Sequence, residues 1–276
     1  METLDNEIKK LEKSKNTKLS SLINLCIKYG TIPFAKLARH AFIGTKLIKS
    51  LNNTKLLSDR SYNTFFASFE TILSEMIIDI KKLKQSKLSK INFNKKYGHL
   101  RPGTYDITSK SYREINTIDL FGNRKVKKIS TNFKLKKLER QNIDVLLEKF
   151  NVCFNNAEEI FDYAKSAIKA REKSKFEFTR VIDLIFGRIK ILSEKYSISL
   201  DKISYLNVNQ LVDIEKNPDY YEKNKILSLI NKNRIKHDIF TAIKLPQLII
   251  DANHSIVVPF QVSSPNFITN KTVEGE

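Results

Sequence analysis

The sequence predicts a mainly α protein, a multi-helix domain with one long ordered loop at about 97–114 and a small C-terminal β-hairpin. Two observations carry that prediction. Apolar residues recur at helical spacing over most of the chain, and only after Pro246 does the period shorten to that of a strand. At 276 residues the chain is long enough for one large domain with a sizeable core. The boundaries read as a helical domain over 1–244, containing the loop 97–134, and a hairpin with linker over 245–276.

In order along the chain, Leu19, Leu22, Ile23, Cys26 and Ile27 share a helical face over 17–28, and Tyr29-Gly30 should stop that helix. Pro33 suits the first turn of a new helix that carries Phe34, Leu37, Ala38, Ala41 and Phe42 to about residue 51. A third helix is expected from an N-cap at Ser58 to Leu83, with Phe65, Phe69, Ile72, Leu73, Met76 and Ile77 as its stripe. From residue 97 to about 135 Gly98, Pro102, Gly103 and Gly122 break the pattern. A loop this long inside a domain is uncommon unless functional or disordered. Helices resume at 135–150 and 155–196. A short one opens at Ser199-Asp201, Asn207 caps another to about Lys216, and one more follows Pro218. Leu248-Ile249-Ile250, a turn at 251–253 and Ile256-Val257-Val258 read as the hairpin, with Pro259 at its edge.

Composition excludes several classes. Cys26 and Cys153 cannot form a disulfide framework or a cysteine-based zinc site, which suits a reducing compartment. No apolar run is long enough for a membrane span, and the acidic N-terminus lacks a secretory h-region, so the cytoplasm is the default expectation. No Walker loop, dinucleotide-binding fingerprint or metal-ligand spacing is present, and seven glycines are too few for a phosphate-cradling loop. The net charge of +19 invites a polyanion partner. Only ten of the 49 basic residues are Arg, however, and Lys, Asn and Ile are inflated together, as A/T-rich codons would produce. For the basic stretch 115–140 a solvated connection is favoured over an anion site.

The densest chemistry lies in residues 97–107, followed by Tyr112 and Arg113. His99, Arg101, Thr104, Tyr105 and Asp106 sit in a turn-rich stretch where Gly98 and Gly103 permit backbone angles other residues avoid. Such a loop can aim several polar groups into one cavity, or serve as a polar plug in which His99 and Asp106 satisfy helix ends. A second cluster spans 171–180. There Arg171 and Lys175 share one helix face, and Glu172, Phe176 and Arg180 share another. Arg39 stands among apolar residues, where a buried guanidinium would need a carboxylate or a ligand.

Residues 30–44, 97–109, 167–180 and 264–271 together resemble the central region of phosphoenolpyruvate synthase-like phosphotransferases, the group that includes rifampin phosphotransferase. The specific string is Gly98-His99-Leu100-Arg101-Pro102-Gly103-Thr104-Tyr105-Asp106. Rifampin phosphotransferase continues its related Gly-His motif differently, so that substrate does not carry over. The resemblance implies an acceptor-side domain. It would work with an ATP-grasp domain that holds ATP and Mg, and with a swivelling domain whose histidine carries the phosphoryl group, in cis or in trans. The 245–276 stretch then leads toward the phosphohistidine domain. No cofactor would be bound by this chain, which would be catalytically incomplete alone. The implied catalytic pair is His99, for proton transfer with the acceptor, and Arg101, for the phosphoryl charge. Arg39, Thr104, Tyr105, Asp106, Tyr112, Arg171, Glu172, Lys175 and Arg180 would form the small-molecule acceptor pocket. The competing expectation is a basic helical module for nucleic acid or another polyanion, using 124–140.

Overall fold

The structure, a computed structural model, describes residues 6, 8, 17–117, 119, 133–150, 153–242 and 251–252. The described elements are α1 (Leu19–Leu25), a π-helical segment (Cys26–Thr31), α2 (Ile32–Asn53), α3 (Asp59–Ala67), α4 (Ile72–Lys84), α5 (Lys90–Tyr97), α6 (Lys137–Phe150), α7 (Ala157–Tyr196), α8 (Leu200–Ile203), α9 (Val208–Lys216) and α10 (Lys223–Ala242). No strand occurs among the described residues. The expected hairpin lies outside them except for Asp251 and Ala252, which are not in a strand. No helix among them is long and apolar enough to cross a membrane.

The organising pair is α2 against the forty-residue α7, running antiparallel. Two glycines set their closeness. A Cβ on Gly44 would lie 2.8 Å from the Cα of Ala164, and one on Gly30 would lie 2.8 Å from the Cβ of Phe178. The two contacts are fourteen residues apart on each helix, about 21 Å at the α-helical rise.

The expected stop at Tyr29-Gly30 does not occur. The chain passes from α1 to α2 through the π turn, where the Ile32 N–H reaches back to the carbonyl of Ile27. Pro33 has no N–H to offer the preceding turn, and the wider π turn absorbs that loss without ending the helix. The helix expected from Ser58 to Leu83 is instead two helices. Thr71 and Ser74 form a reciprocal capping box that starts α4, with Ser68 closing α3. The short helix α5, not expected from periodicity, is capped by Ser89.

Carboxylates from distant helices cap several N-termini. The Leu19 N–H donates to Glu215 at 2.7 Å, Ser58 to Glu139 at 3.0 Å, Ile72 to Glu172 at 3.2 Å and Ala157 to Asp144 at 2.7 Å. Each places a negative charge where helix N–H groups have no intrahelical partner, and each ties two elements together. Glu139 also accepts from the hydroxyls of Ser58 and Ser61, and these bonds hold its carboxyl below the usual range despite burial. The core around α3 is aromatic. Phe65 meets Phe66, Phe69, Phe133 and Phe161 edge-on at centroid distances of 5.1–5.5 Å.

Candidate functional site

The loop after α5 is ordered because its neck is closed by hydrogen bonds. The Tyr112 N–H donates to the Leu100 carbonyl at 2.7 Å, and the Arg113 N–H and Nε donate to the Gly98 carbonyl at 3.3 and 3.2 Å. Residues 101–111 therefore form a compact Ω-type loop whose ends meet. Its turns are held from within. Asp106 N–H donates to the Gly103 carbonyl, Gly103 N–H to the Ser109 hydroxyl, and Thr108 N–H to the Asp106 carboxylate. The two glycines are there for space rather than for special backbone angles, since no described glycine has positive φ. A Cβ at Gly98 would lie 2.4 Å from the Asn94 carbonyl, and one at Gly103 would lie 3.0 Å from the Asp106 Cβ.

This loop lies along one stripe of α7. Glu172, Lys175, Phe176 and Thr179 line a cavity of about 350 Å³ that the loop closes with Leu100, Arg101, Thr104 and Tyr112. Farther along α7, Asp183, Phe186, Gly187 and Lys190 line a second cavity of about 320 Å³, bordered by Arg101, Lys110, Arg113 and Glu114. Their spacing follows the helical repeat, so a single face of α7 carries both cavities. Arg101 borders both.

The junction is an ion-paired knot. Asp183 binds Arg101 through one oxygen and Arg113 through the other, the latter at 2.5 Å. Arg101 also donates to the Ser109 carbonyl at 3.3 Å, and its guanidinium stacks 4.7 Å from the ring centroid of Phe186. Only 8% of the Arg101 side chain is exposed, against 51% for Arg113. Burial pushes the Asp183 carboxyl upward while the two guanidiniums oppose the shift, the net direction being up. Contact with a cation at each oxygen keeps it a carboxylate at neutral pH.

Beneath the first cavity, α4 and α5 are locked by polar contacts. The Tyr97 hydroxyl donates to Asp79 at 2.8 Å, and Asp79 also holds Lys82 and Lys96. These partners hold the Asp79 carboxyl below its usual range in spite of burial. His99 is buried beside them at 6% exposure. Its Nε2 lies 3.1 Å from the Phe176 carbonyl, to which it can only donate, and its ring meets Phe176 edge-on. Burial pushes the His99 pKa down to about 3, and Arg180, Arg113 and Arg101 act in the same direction. The imidazole is therefore neutral, whereas proton exchange in water calls for a pKa near the working pH.

Of the residues expected at the pocket, Arg101, Thr104, Tyr112, Glu172 and Lys175 line one cavity. Glu172 and Lys175 share that wall, although helical spacing had suggested separate faces. Arg171 lies apart, its guanidinium 5.5 Å from the Phe42 ring centroid and 6.0 Å from that of Phe34. Arg180 pairs with Glu177 at 3.3 Å. Tyr105 and Asp106 are exposed, and hydrogen bonds from Thr108 hold the Asp106 carboxyl low. Arg39 is exposed, contrary to the expected buried guanidinium. The buried positions of α2 are Ala41, Gly44, Ile48 and Leu51, and Arg39 stands two residues, about 200°, from the first. The basic residues 124–132 lie outside the described residues, and 137–140 begin α6.

Sequence reasoning missed Asp183, Gly187 and Lys190. A signal existed for Asp183, the single acid in the apolar run Val181-Ile182-Asp183-Leu184-Ile185-Phe186, where a buried carboxylate needs a cationic partner. Among the described residues no group of three or more His, Cys, Asp or Glu side chains is placed to hold a metal ion. No family model, curated protein or solved structure matches this chain.

Proposed function

We propose that this chain is the acceptor-side domain of a phosphoenolpyruvate synthase-like phosphotransferase, and that the cavity between the loop and the Glu172–Thr179 stripe receives the phosphoryl acceptor. The observation that supports this reading is the convergence of two segments about seventy residues apart, 100–112 and 172–179, on one cavity. Its size falls in the small-molecule range. Its walls combine a Lys175 ammonium and two threonine hydroxyls with apolar surface from Leu73, Met76 and Phe176, which suits a small carboxylate such as pyruvate. Glu172 lines the same wall and is tied to the start of α4, with Arg101 and Lys175 supplying positive charge beside it. On this reading Arg101 partitions and braces the site through Asp183, and His99 positions the loop on α7 as a neutral donor.

The test is reconstitution. The full chain is combined with separately expressed ATP-grasp and phosphohistidine domains, and ATP consumption is followed with and without pyruvate. The reading expects pyruvate-dependent turnover that requires this chain and falls at least about tenfold in Lys175→Ala. Turnover indifferent to this chain, with salt-sensitive RNA or DNA binding in its place, overturns it in favour of a polyanion module.

A further inference from the structure

We propose that the second cavity, lined by Lys110, Arg113, Lys190 and Gly187, is a separate binding site for a small anionic phosphate compound. Three observations lead there, and none depends on the acceptor reading.

The first is charge. Four basic side chains border this cavity against two carboxylates, which leaves two positive charges uncompensated. Both carboxylates are already engaged. Asp183 is held by Arg101 and Arg113, and Glu114 accepts from the Ser111 N–H at 2.7 Å and its hydroxyl at 2.8 Å. Lys190 lies 3.9 Å from the other oxygen of Glu114, at the limit of an ion pair, and is 54% exposed. A phosphate monoester carries about two negative charges near neutral pH and pyrophosphate about three, so either meets that excess, whereas a monocarboxylate would leave half of it unmet.

The second is a glycine in the lining. Gly187 stands in the interior of α7, where glycine costs about 1 kcal/mol relative to alanine. Gly30 and Gly44 have packing reasons to lack a side chain. Gly187 has none, because a Cβ there would meet nothing within 4 Å. Gly187 is an exposed lining residue of the cavity, and its missing side chain leaves that space open.

The third is the donor set. Arg113, Lys110 and Lys190 line the cavity together with Ser109, whose hydroxyl accepts from the Gly103 N–H at 3.1 Å and has its own proton to give. Charged donors and a hydroxyl around an open volume are the groups that bind phosphoryl oxygens.

Calorimetry of the full chain with pyrophosphate and with inorganic phosphate, at about 0.15 M salt, tests the assignment. Pyrophosphate binding is expected, weakened about tenfold or more in Gly187→Leu and in Lys190→Ala and changed by less than about twofold in Lys175→Ala. The Gly187→Leu protein should melt no lower than the parent, since leucine favours the helix, so its loss of binding cannot be unfolding. Absence of binding of either anion by the parent chain overturns the proposal. So does binding that survives Gly187→Leu, or that falls equally in Lys175→Ala. The acceptor reading stands or falls separately, on pyruvate-dependent turnover and Lys175.

Discussion

The first half of α7 meets α2 through small residues, and the second half meets the 101–111 loop through charges. In the first half Ala164 lies under Gly44 with no room for one more carbon, and the helices touch along their backbones. In the second half Asp183 holds two guanidiniums, a Cβ on Gly187 would meet nothing within 4 Å, and two cavities open along the same stripe. Close packing fixes the position of the helix. Ion pairing then holds a polar loop on it and still leaves volume for ligands. The two halves should respond to mutation in opposite ways, which makes the comparison testable.

The largest effect is expected at the charged half. Asp183→Asn removes the one carboxylate that Arg101 pairs with among the described residues and leaves that guanidinium buried without a counter-ion. Breaking a buried pair in this way costs about 3–5 kcal/mol. Urea unfolding followed by far-UV circular dichroism should show a loss of that size, with both cavities disturbed because Arg101 borders each. A loss below about 1 kcal/mol would mean that water already screens the knot, and the loop would then have to be held by its neck hydrogen bonds alone.

Next comes pH. The folded state keeps His99 neutral, with a pKa near 3, whereas the unfolded chain titrates near its ordinary 6.5. Below pH 6.5 the unfolded chain binds the extra proton first. The stability associated with neutral His99 is therefore complete above 6.5 and drains away as pH falls toward 3, amounting to about 2 kcal/mol by pH 5. His99→Gln, which can still donate to the Phe176 carbonyl, should flatten the fall in stability between pH 7 and 5. An unchanged pH slope in that variant would falsify the burial of a neutral imidazole.

Much of this contrast was legible in the sequence, and the reasons it was only partly so are physical. Helical periodicity located α2, α7 and α9, and Asn207 capped α9 as its side-chain chemistry required. The 98–106 string and the 171–180 cluster stand out in the sequence as dense polar stretches, and Arg101, Thr104, Glu172 and Lys175 from them line one cavity while Arg171 and Arg180 do not. The break between α3 and α4 was hidden because the apolar stripe runs through it, and only the Thr71-Ser74 box marks it. The π turn was hidden because Gly30 and Pro33 resemble a stop. The turn persists because α7 holds the chain against Phe178. Arg39 misled because apolar neighbours in sequence say little about burial on a helix whose opposite face is the packed one.

At the close-packed half the expected change is smaller. Gly44→Ala improves helix propensity by about 1 kcal/mol but places a methyl 2.8 Å from the Ala164 backbone, which cannot swing aside. Overpacking of this kind costs about 1–3 kcal/mol, so a net loss of up to about 2 kcal/mol should appear in the unfolding midpoint. A midpoint unchanged or raised in Gly44→Ala would mean that the two backbones can move apart at this contact.

Gly187→Ala completes the comparison from the open side. The same substitution, on the same helix, meets no atom within 4 Å. Only the helix term remains, and a gain of about 1 kcal/mol is expected, visible as a higher melting temperature and unfolding midpoint. The sign of the difference between Gly44→Ala and Gly187→Ala is thus set by the neighbours and not by the residue. If Gly187→Ala were destabilising, α7 would have to lean on something at that position, and the cavity it lines would not be the open volume on which phosphate binding depends.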